Sequence, residues 1–144
     1  MLVKQILDSK PSGRVLTIES RMAVQDAAEI LSKNRVGALV IISRDGMPDG
    51  VISERDIVRE IGRLGEVVLR SEVGSIMSSE VVICTPGDTA DHVLRTMTEG
   101  RFRHLPVIEN NRMIGVISIG DVVKARLEEL NLERDALEGM IAGY

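Results

Sequence analysis

Two stretches of the chain carry the polar side chains best suited to chemistry. Ser53 and Asp56 stand three residues apart, and Ser118 and Asp121 repeat the pair. An ionised carboxylate only accepts hydrogen bonds, and its two oxygens can take both donors of a vicinal diol such as that of a ribose. The same aspartates also suit a helix N-cap, and the serines suit a strand end bonding its own backbone. Both roles can coexist on one carboxylate. Arg103 and His104 are the sharpest further feature. A guanidinium forks onto phosphate oxygens, and an imidazole adds a donor, more strongly when protonated. The plainer alternatives are a solvated arginine and a satisfied, buried histidine.

Other chemistries find little support. The sequence has no G-x-x-x-x-G-K-[ST] loop, no G-x-G-x-x-G fingerprint and no H-E-x-x-H. His92 and His104 are its two histidines, and Cys84 is its one cysteine, set in an apolar stretch. No internal disulfide or Cys-rich zinc site can form, and Cys84 reads as an inert core thiol. No nucleophile–base pair stands out, so neither a catalytic residue nor a metal site is assigned. Net charge is −4, which disfavours an electrostatic nucleic-acid binder. Aromatics are 1% of residues, too few for a base-stacking platform. No run approaches the ~18 apolar residues of a membrane span, and Met1 to Pro11 does not read as a signal peptide. The expectation is a cytoplasmic protein with no nucleic-acid or membrane partner.

The elements that hold these residues repeat. Gly50-Val51-Ile52-Ser53-Glu54-Arg55-Asp56-Ile57 recurs 65 residues later as Gly115-Val116-Ile117-Ser118-Ile119-Gly120-Asp121-Val122. Arg35 to Ile42 aligns with Arg101 to Ile108 at an offset of 66. The lead-in Val3-x-x-Ile6-Leu7 recurs as Val73-x-x-Ile76-Met77. Each copy predicts a first strand (Val15–Ile18, Val81–Cys84), then a helix. The helix is marked by Val24, Ala27, Ala28, Ile30 and Leu31, or by Ala90, Val93, Leu94 and Met97. Pro86-Gly87-Asp88 reads as a turn whose aspartate is a cap candidate. A hairpin follows, turned at Asp45-Gly46 or Asn110-Asn111. A last helix is expected to begin at Asp56 or Asp121. Each unit is thus β-α-β-β-α, an α+β (α/β) design. Its sheet has one uncovered apolar face, and two copies can cover each other. The division expected is residues 1–72 and 73–144, with the lead-in counted in the first repeat and a long C-terminal helix in the second.

These residues resemble a known family, the tandem cystathionine-β-synthase (CBS) domain pair or Bateman module of stand-alone bacterial and archaeal type. Gly50–Asp56 and Gly115–Asp121 are similar to its Gly-x-hydrophobic-[Thr/Ser]-x-x-Asp signature, and Arg103–Val107 to its central strand entry. The resemblance implies two repeats packed through their sheets with pseudo-two-fold symmetry. It implies a regulatory module rather than an enzyme. Such a module binds AMP, ADP, ATP, S-adenosylmethionine or NAD(H) in clefts between repeats, usually as a homodimer. By the same resemblance Asp56, Asp121, Ser53 and Ser118 meet ribose, the serines also phosphate. Arg103, His104, Arg55 and, more weakly, Arg101 meet phosphate. Arg101 is matched by Arg35, which points to a structural role in both copies. Thr17 and Ile83 offer an adenine-reading backbone edge, and Ile18, Val36, Gly37, Ala38, Ile52, Phe102 and Ile117 line the cleft. Where the second copy has Arg103 and His104 the first has Gly37 and Ala38, so the two sites are expected to differ.

Beyond Asp121 the pattern runs long. Val123, Leu127, Leu130, Leu137 and Ile141 form a heptad-like stripe, interrupted by Arg134. It can pack on the chain's own body or on a second copy. No effector domain is read from the sequence, so the output is expected to pass to a separate, unknown effector protein or to another copy. The rival reading is a dimeric scaffold with vestigial clefts.

Overall fold

The computed structural model describes residues 1–10 and 16–142. It is a mixed α/β protein of two compact units. One, the Asp56 unit, comprises Arg14–Val82 with Asn110–Met113; the other, the Asp121 unit, comprises Met1–Gly13, Ile83–Glu109 and Ile114–Tyr144.

In the Asp56 unit three strands form one sheet: β1 (Thr17–Ile18), β2 (Ala38–Ile42) and β3 (Pro48–Ser53). β1 runs parallel to β2 with Ile18 opposite Ile41. β2 and β3 are antiparallel, with Ala38 opposite Ser53. Gly46 takes φ 84° in the hairpin turn, where a Cβ would be strained. Val15, expected in the first strand, lies outside the described residues. Helix α2 (Val24–Asn34) buries Val24, Ala27 and Leu31, while Ala28 and Ile30 pack at the edge. Helix α3 (Glu54–Leu64) buries Ile57. The core is wholly aliphatic, with Leu39, Ile41 and Ile52 among its members.

β4 (His104–Glu109) and β5 (Arg112–Ser118) form a hairpin that belongs to the Asp121 unit except for Asn110–Met113, and Asn110 and Asn111 both adopt left-handed φ, 53° and 58°. Two successive left-handed residues make the turn whose twist matches its flanking strands. The expected strand Val81–Cys84 does not form. It shrinks to one parallel bridge, in which Cys84 N–H donates to Pro106 O and Ile108 N–H donates to Cys84 O, both at 2.9 Å. The cause is Pro106, which has no N–H to offer the carbonyl of Val82. In the first copy Val40 stands in that place and donates to Leu16 O at 3.5 Å.

The units do not coincide with the halves of the sequence. Helix α1 (Val3–Ser9), from the start of the chain, belongs to the Asp121 unit. There it buries Val3 and Ile6, and Leu2 bridges Thr89 at the start of α4 (Ala90–Gly100). The second copy's lead-in belongs to the Asp56 unit, where Val73 is buried and Glu72 bridges Ala23 at the start of α2. The repeated Val-x-x-Ile pattern supplies a docking plug in each case, and each copy's plug serves the other copy's helix. The signature glycines accommodate these plugs. A Cβ on Gly50 would sit 2.5 Å from Met77 Sδ and 2.9 Å from Ser78 O, and one on Gly115 would sit 2.8 Å from a Leu7 methyl.

Helices α2 and α4 end alike. Arg35 and Arg101 turn left-handed (φ 53° and 59°), and the amides of Val36 and Phe102 reach back to Leu31 O and Met97 O. That is the Schellman closure, made here without the usual glycine. It gives the matched arginines a backbone duty.

Candidate functional site

The candidate site is the strand-to-helix corner of each unit. At the β3–α3 corner Ser53, not Asp56, is the N-cap, and α3 starts at Glu54. Asp56 is the third helical residue. Its amide donates to Ser53 Oγ at 3.2 Å, while Ser53 N–H donates to Asp56 Oδ2 at 2.8 Å. This is a reciprocal capping box, which satisfies two otherwise orphaned donors. The β5–α5 corner repeats it. Helix α5 (Ile119–Ile141) is capped by Ser118, whose N–H donates to Asp121 Oδ2 at 2.9 Å and whose Oγ accepts from Asp121 N–H at 3.1 Å. Reading the aspartates as N-caps is thus corrected: serine followed three residues later by an acid is a capping-box spelling. A similar correction applies at α4, where Thr89 is the cap. Its Oγ1 accepts from His92 N–H at 3.1 Å, and Asp88 instead accepts from Thr85 N–H at 2.8 Å.

Each corner leaves one carboxylate oxygen outside the box, and the units treat it differently. In the Asp56 unit Arg59, one turn along α3 and 64% exposed, donates from Nη2 to Asp56 Oδ1 at 2.8 Å. In the Asp121 unit the cation is Lys10, from the end of α1, and it reaches Oδ2 at 2.9 Å. Ser118 N–H and the Lys10 ammonium thus share Oδ2, and Oδ1 takes part in neither contact. Burial pushes the Asp121 carboxyl up, but the Ser118 amide and hydroxyl and the Lys10 ammonium outweigh it. The carboxyl is held below its ordinary value. Neither Arg59 nor Lys10 was among the residues singled out from sequence. The spacing Asp56-x-x-Arg59 is a legible helix pair. Lys10 lies 111 residues from its partner, and only the fold brings it there.

The phosphate candidates divide. Arg103 O accepts from Ile119 N–H at 2.8 Å, which pins Arg103 beside the Ser118 corner with its side chain exposed; His104, half-buried, follows it as the first residue of β4. The first copy ties Gly37 O to Glu54 N–H at 3.0 Å in the same way, so Gly37 and Ala38 flank Ser53 without a cation. Arg55 is exposed on α3, and no ion pair to Glu54 or Glu29 forms among the described residues. Arg101 is the helix-ending residue described above.

The expected wall residues scatter. Ile18, Ile52 and Ile117 are core residues, 4%, 0% and 0% exposed, so their side chains face protein. Val36 and Gly37 line a depression of about 570 Å3 in the Asp56 unit, together with Leu31, Ile57 and Val58. Thr17 is exposed in β1. Ile83 is exposed and outside any strand, which weakens its part in a backbone edge. Phe102 is half-buried, its ring lying where a Cβ of Gly100 would be. Cys84 is buried, and burial followed by the Asp88 charge pushes its thiol up to about 12. A thiol so rarely ionised is no nucleophile. Among the described residues no cluster of His, Cys, Asp and Glu could hold a metal, and no helix is long and apolar enough to cross a membrane.

Comparison with known proteins follows the same repeat. The CBS domain model matches residues 3–63 and 73–128. A curated relative, the mitochondrial CBS domain-containing protein CBSX3 of Arabidopsis thaliana, is 37% identical over 124 residues, 83% of this chain. The chain spans 60% of that protein, less than two thirds of its length. Among solved structures, the CBS-domain containing protein ATU1752 of Agrobacterium tumefaciens is 41% identical with a TM-score of 0.82. The match covers 88% of this chain and 99% of that one. The CBS domain pair of MJ0100, solved with 5-methylthioadenosine and S-adenosyl-L-methionine, is 26% identical with a TM-score of 0.77, covering 90% and 98%. PAE2072 of Pyrobaculum aerophilum, solved with AMP, is 27% identical with a TM-score of 0.73, covering 84% and 89%.

Proposed function

The chain belongs to the CBS-domain family and carries the domain twice; from that premise we propose that it is a non-catalytic regulatory module that binds an adenosine nucleotide, AMP first, at its Ser–Asp corners. The observation that carries this is the same pre-ordered carboxylate built into both units by the same capping box. The box holds one oxygen of an acceptor-only group in place, and a carboxylate suits two ribose hydroxyl donors. Related pairs solved with AMP and with S-adenosyl-L-methionine support an adenosyl ligand. ATP and NAD(H) are the other members of that chemical class.

The corners are unequal in this reading. The Asp121 corner has Arg103 and His104 beside it and takes the charged nucleotide. The Asp56 corner has Gly37 and Ala38 at the matching strand entry and takes a ligand less dependent on a cation from that position, such as part of a dinucleotide. Titration of AMP by calorimetry into Arg103→Ala is expected to show binding weakened about tenfold or more, the worth of one charge-assisted contact. Unchanged affinity rejects the assignment.

A second reading concerns assembly, and one observation favours it. Among the described residues nothing covers the α5 stripe: Val123, Leu127, Leu130, Leu137 and Ile141 are between 40% and 87% exposed. Packing on the chain's own body buries Val122 and Ala125 instead. A charged helix projecting that much apolar surface is marginal alone, and a second copy is the partner we assign to it. Deleting Leu132 to Tyr144 is expected to weaken self-association in sedimentation velocity. A variant that sediments like the full chain excludes this contact. The effector protein that receives the signal is a separate molecule in this reading.

A further inference from the structure

We propose that Lys10 is a positioning residue for the Asp121 corner, and that it couples nucleotide occupancy there to the seating of α1. The proposal rests on the nucleotide reading above. Lys10 is the residue at which α1 ends, turning the backbone to extended geometry (φ −74°, ψ 131°). Its ammonium donates to Asp121 Oδ2 and to Val116 O, each at 2.9 Å. Both acceptors belong to the β5–α5 corner, and the lysine reaches them with 29% of its side chain exposed. The helix's own candidate, Lys124, one turn beyond Asp121, stays exposed and makes no ion pair among the described residues.

The two carboxylates sit in the same capping box but have opposite kinds of cation. Arg59 is local to α3 and mostly exposed, so its pair is weakly held and can swing away. Lys10 arrives from a different element that is itself anchored. Val3 and Ile6 are buried, and the amides of Val3 and Lys4 donate to Asp88 O and Pro86 O at 2.9 and 3.1 Å. Leu7 packs where a Cβ of Gly115 would be. The ammonium is therefore at Asp121 only while α1 is docked.

Its action on the carboxylate is simple. With Ser118 N–H and Lys10 both on Oδ2, that oxygen is committed and the carboxylate is restrained, and Oδ1 takes part in neither contact. Without the ammonium the group turns more freely and meets a diol less well. Linkage makes the effect reciprocal. If a seated Lys10 raises nucleotide affinity by some factor, bound nucleotide favours the seated Lys10, and so docked α1, by the same factor.

The test pairs AMP titration with hydrogen exchange over residues 3–9. In the wild type, AMP is expected to slow exchange in α1. In Lys10→Met, AMP affinity is expected to fall about fivefold or more, the lower end of typical coupling, and AMP no longer protects α1. Lys10→Arg restores both, which a purely structural loss would not predict. If Lys10→Met does not fold, Lys10→Gln takes its place with the same expectation. Should the Met or Gln variant bind AMP as well as or better than wild type, or should AMP protect α1 equally in the variant, the proposal falls alone. A wild-type protein that binds no adenine nucleotide overturns the nucleotide reading, and this proposal with it.

Discussion

Truncating Ile52 to alanine is expected to cost about 2–5 kcal/mol of folding stability, the range for removing most of a buried aliphatic side chain. Ile52 is 0% exposed in β3 and packs with Ile18, Leu39, Ile41 and Val73 in a core that has no aromatic ring to fill a void. Urea unfolding followed by circular dichroism reads the loss as a lower midpoint at unchanged slope. The experiment also decides the residue's duty. If Ile52 belonged to a ligand wall, the truncation would cost nucleotide affinity and little stability. A loss below about 1 kcal/mol would contradict the core assignment.

Replacing Asp121 by alanine is expected to weaken AMP binding at that corner by about a hundredfold, from the loss of two charge-assisted hydrogen bonds. The same change removes the acceptor of Ser118 N–H and the partner of Lys10. Stability therefore falls too, and its pH dependence has a definite sign. The native carboxyl is held below its ordinary value, burial being outweighed by the Ser118 and Lys10 contacts. The unfolded chain binds that proton more readily than the native one. The contribution is then fully present above the ordinary carboxylate value, about 3.9, and is lost as the pH falls through the lower native value. Melting curves of wild type and Asp121→Ala are expected to differ at pH 7 and to converge on acidification. A difference that grows on acidification would contradict the ion-pair account.

Much of this architecture is spelled in the sequence, for reasons that individual residues make clear. Spacings of three and four placed α2 and α4, because a helix must bury one stripe, and the residues buried, Val24, Ala27 and Leu31, or Ala90, Val93 and Met97, recur at that period. The turns were legible because Gly46, Asn110 and Asn111 are residues that tolerate positive φ. The first strand of the second copy was misread because Val81 to Cys84 has strand composition. The decision lay 24 residues downstream of Val82, in the missing N–H of Pro106. The exchanged lead-ins were illegible for a different reason. Val3-x-x-Ile6 and Val73-x-x-Ile76 announce that a plug exists, but identical plugs do not say which helix each one serves. The serine and aspartate pairs were found, yet their capping roles were inverted, since both residue types cap helices and only the backbone geometry chooses between them. Lys10 carries no local signal at all, and its meaning comes from docking α1 beside β5.

The most direct test is calorimetric titration of AMP into the wild type and into the Asp56→Ala/Asp121→Ala double variant, with circular dichroism confirming that the variant is folded. Saturable uptake by the first and none by the second is the result that the twin carboxylate corners require. Uptake undiminished in the double variant, or a wild type that remains empty before AMP, ATP, NAD(H) and S-adenosylmethionine alike, would contradict it.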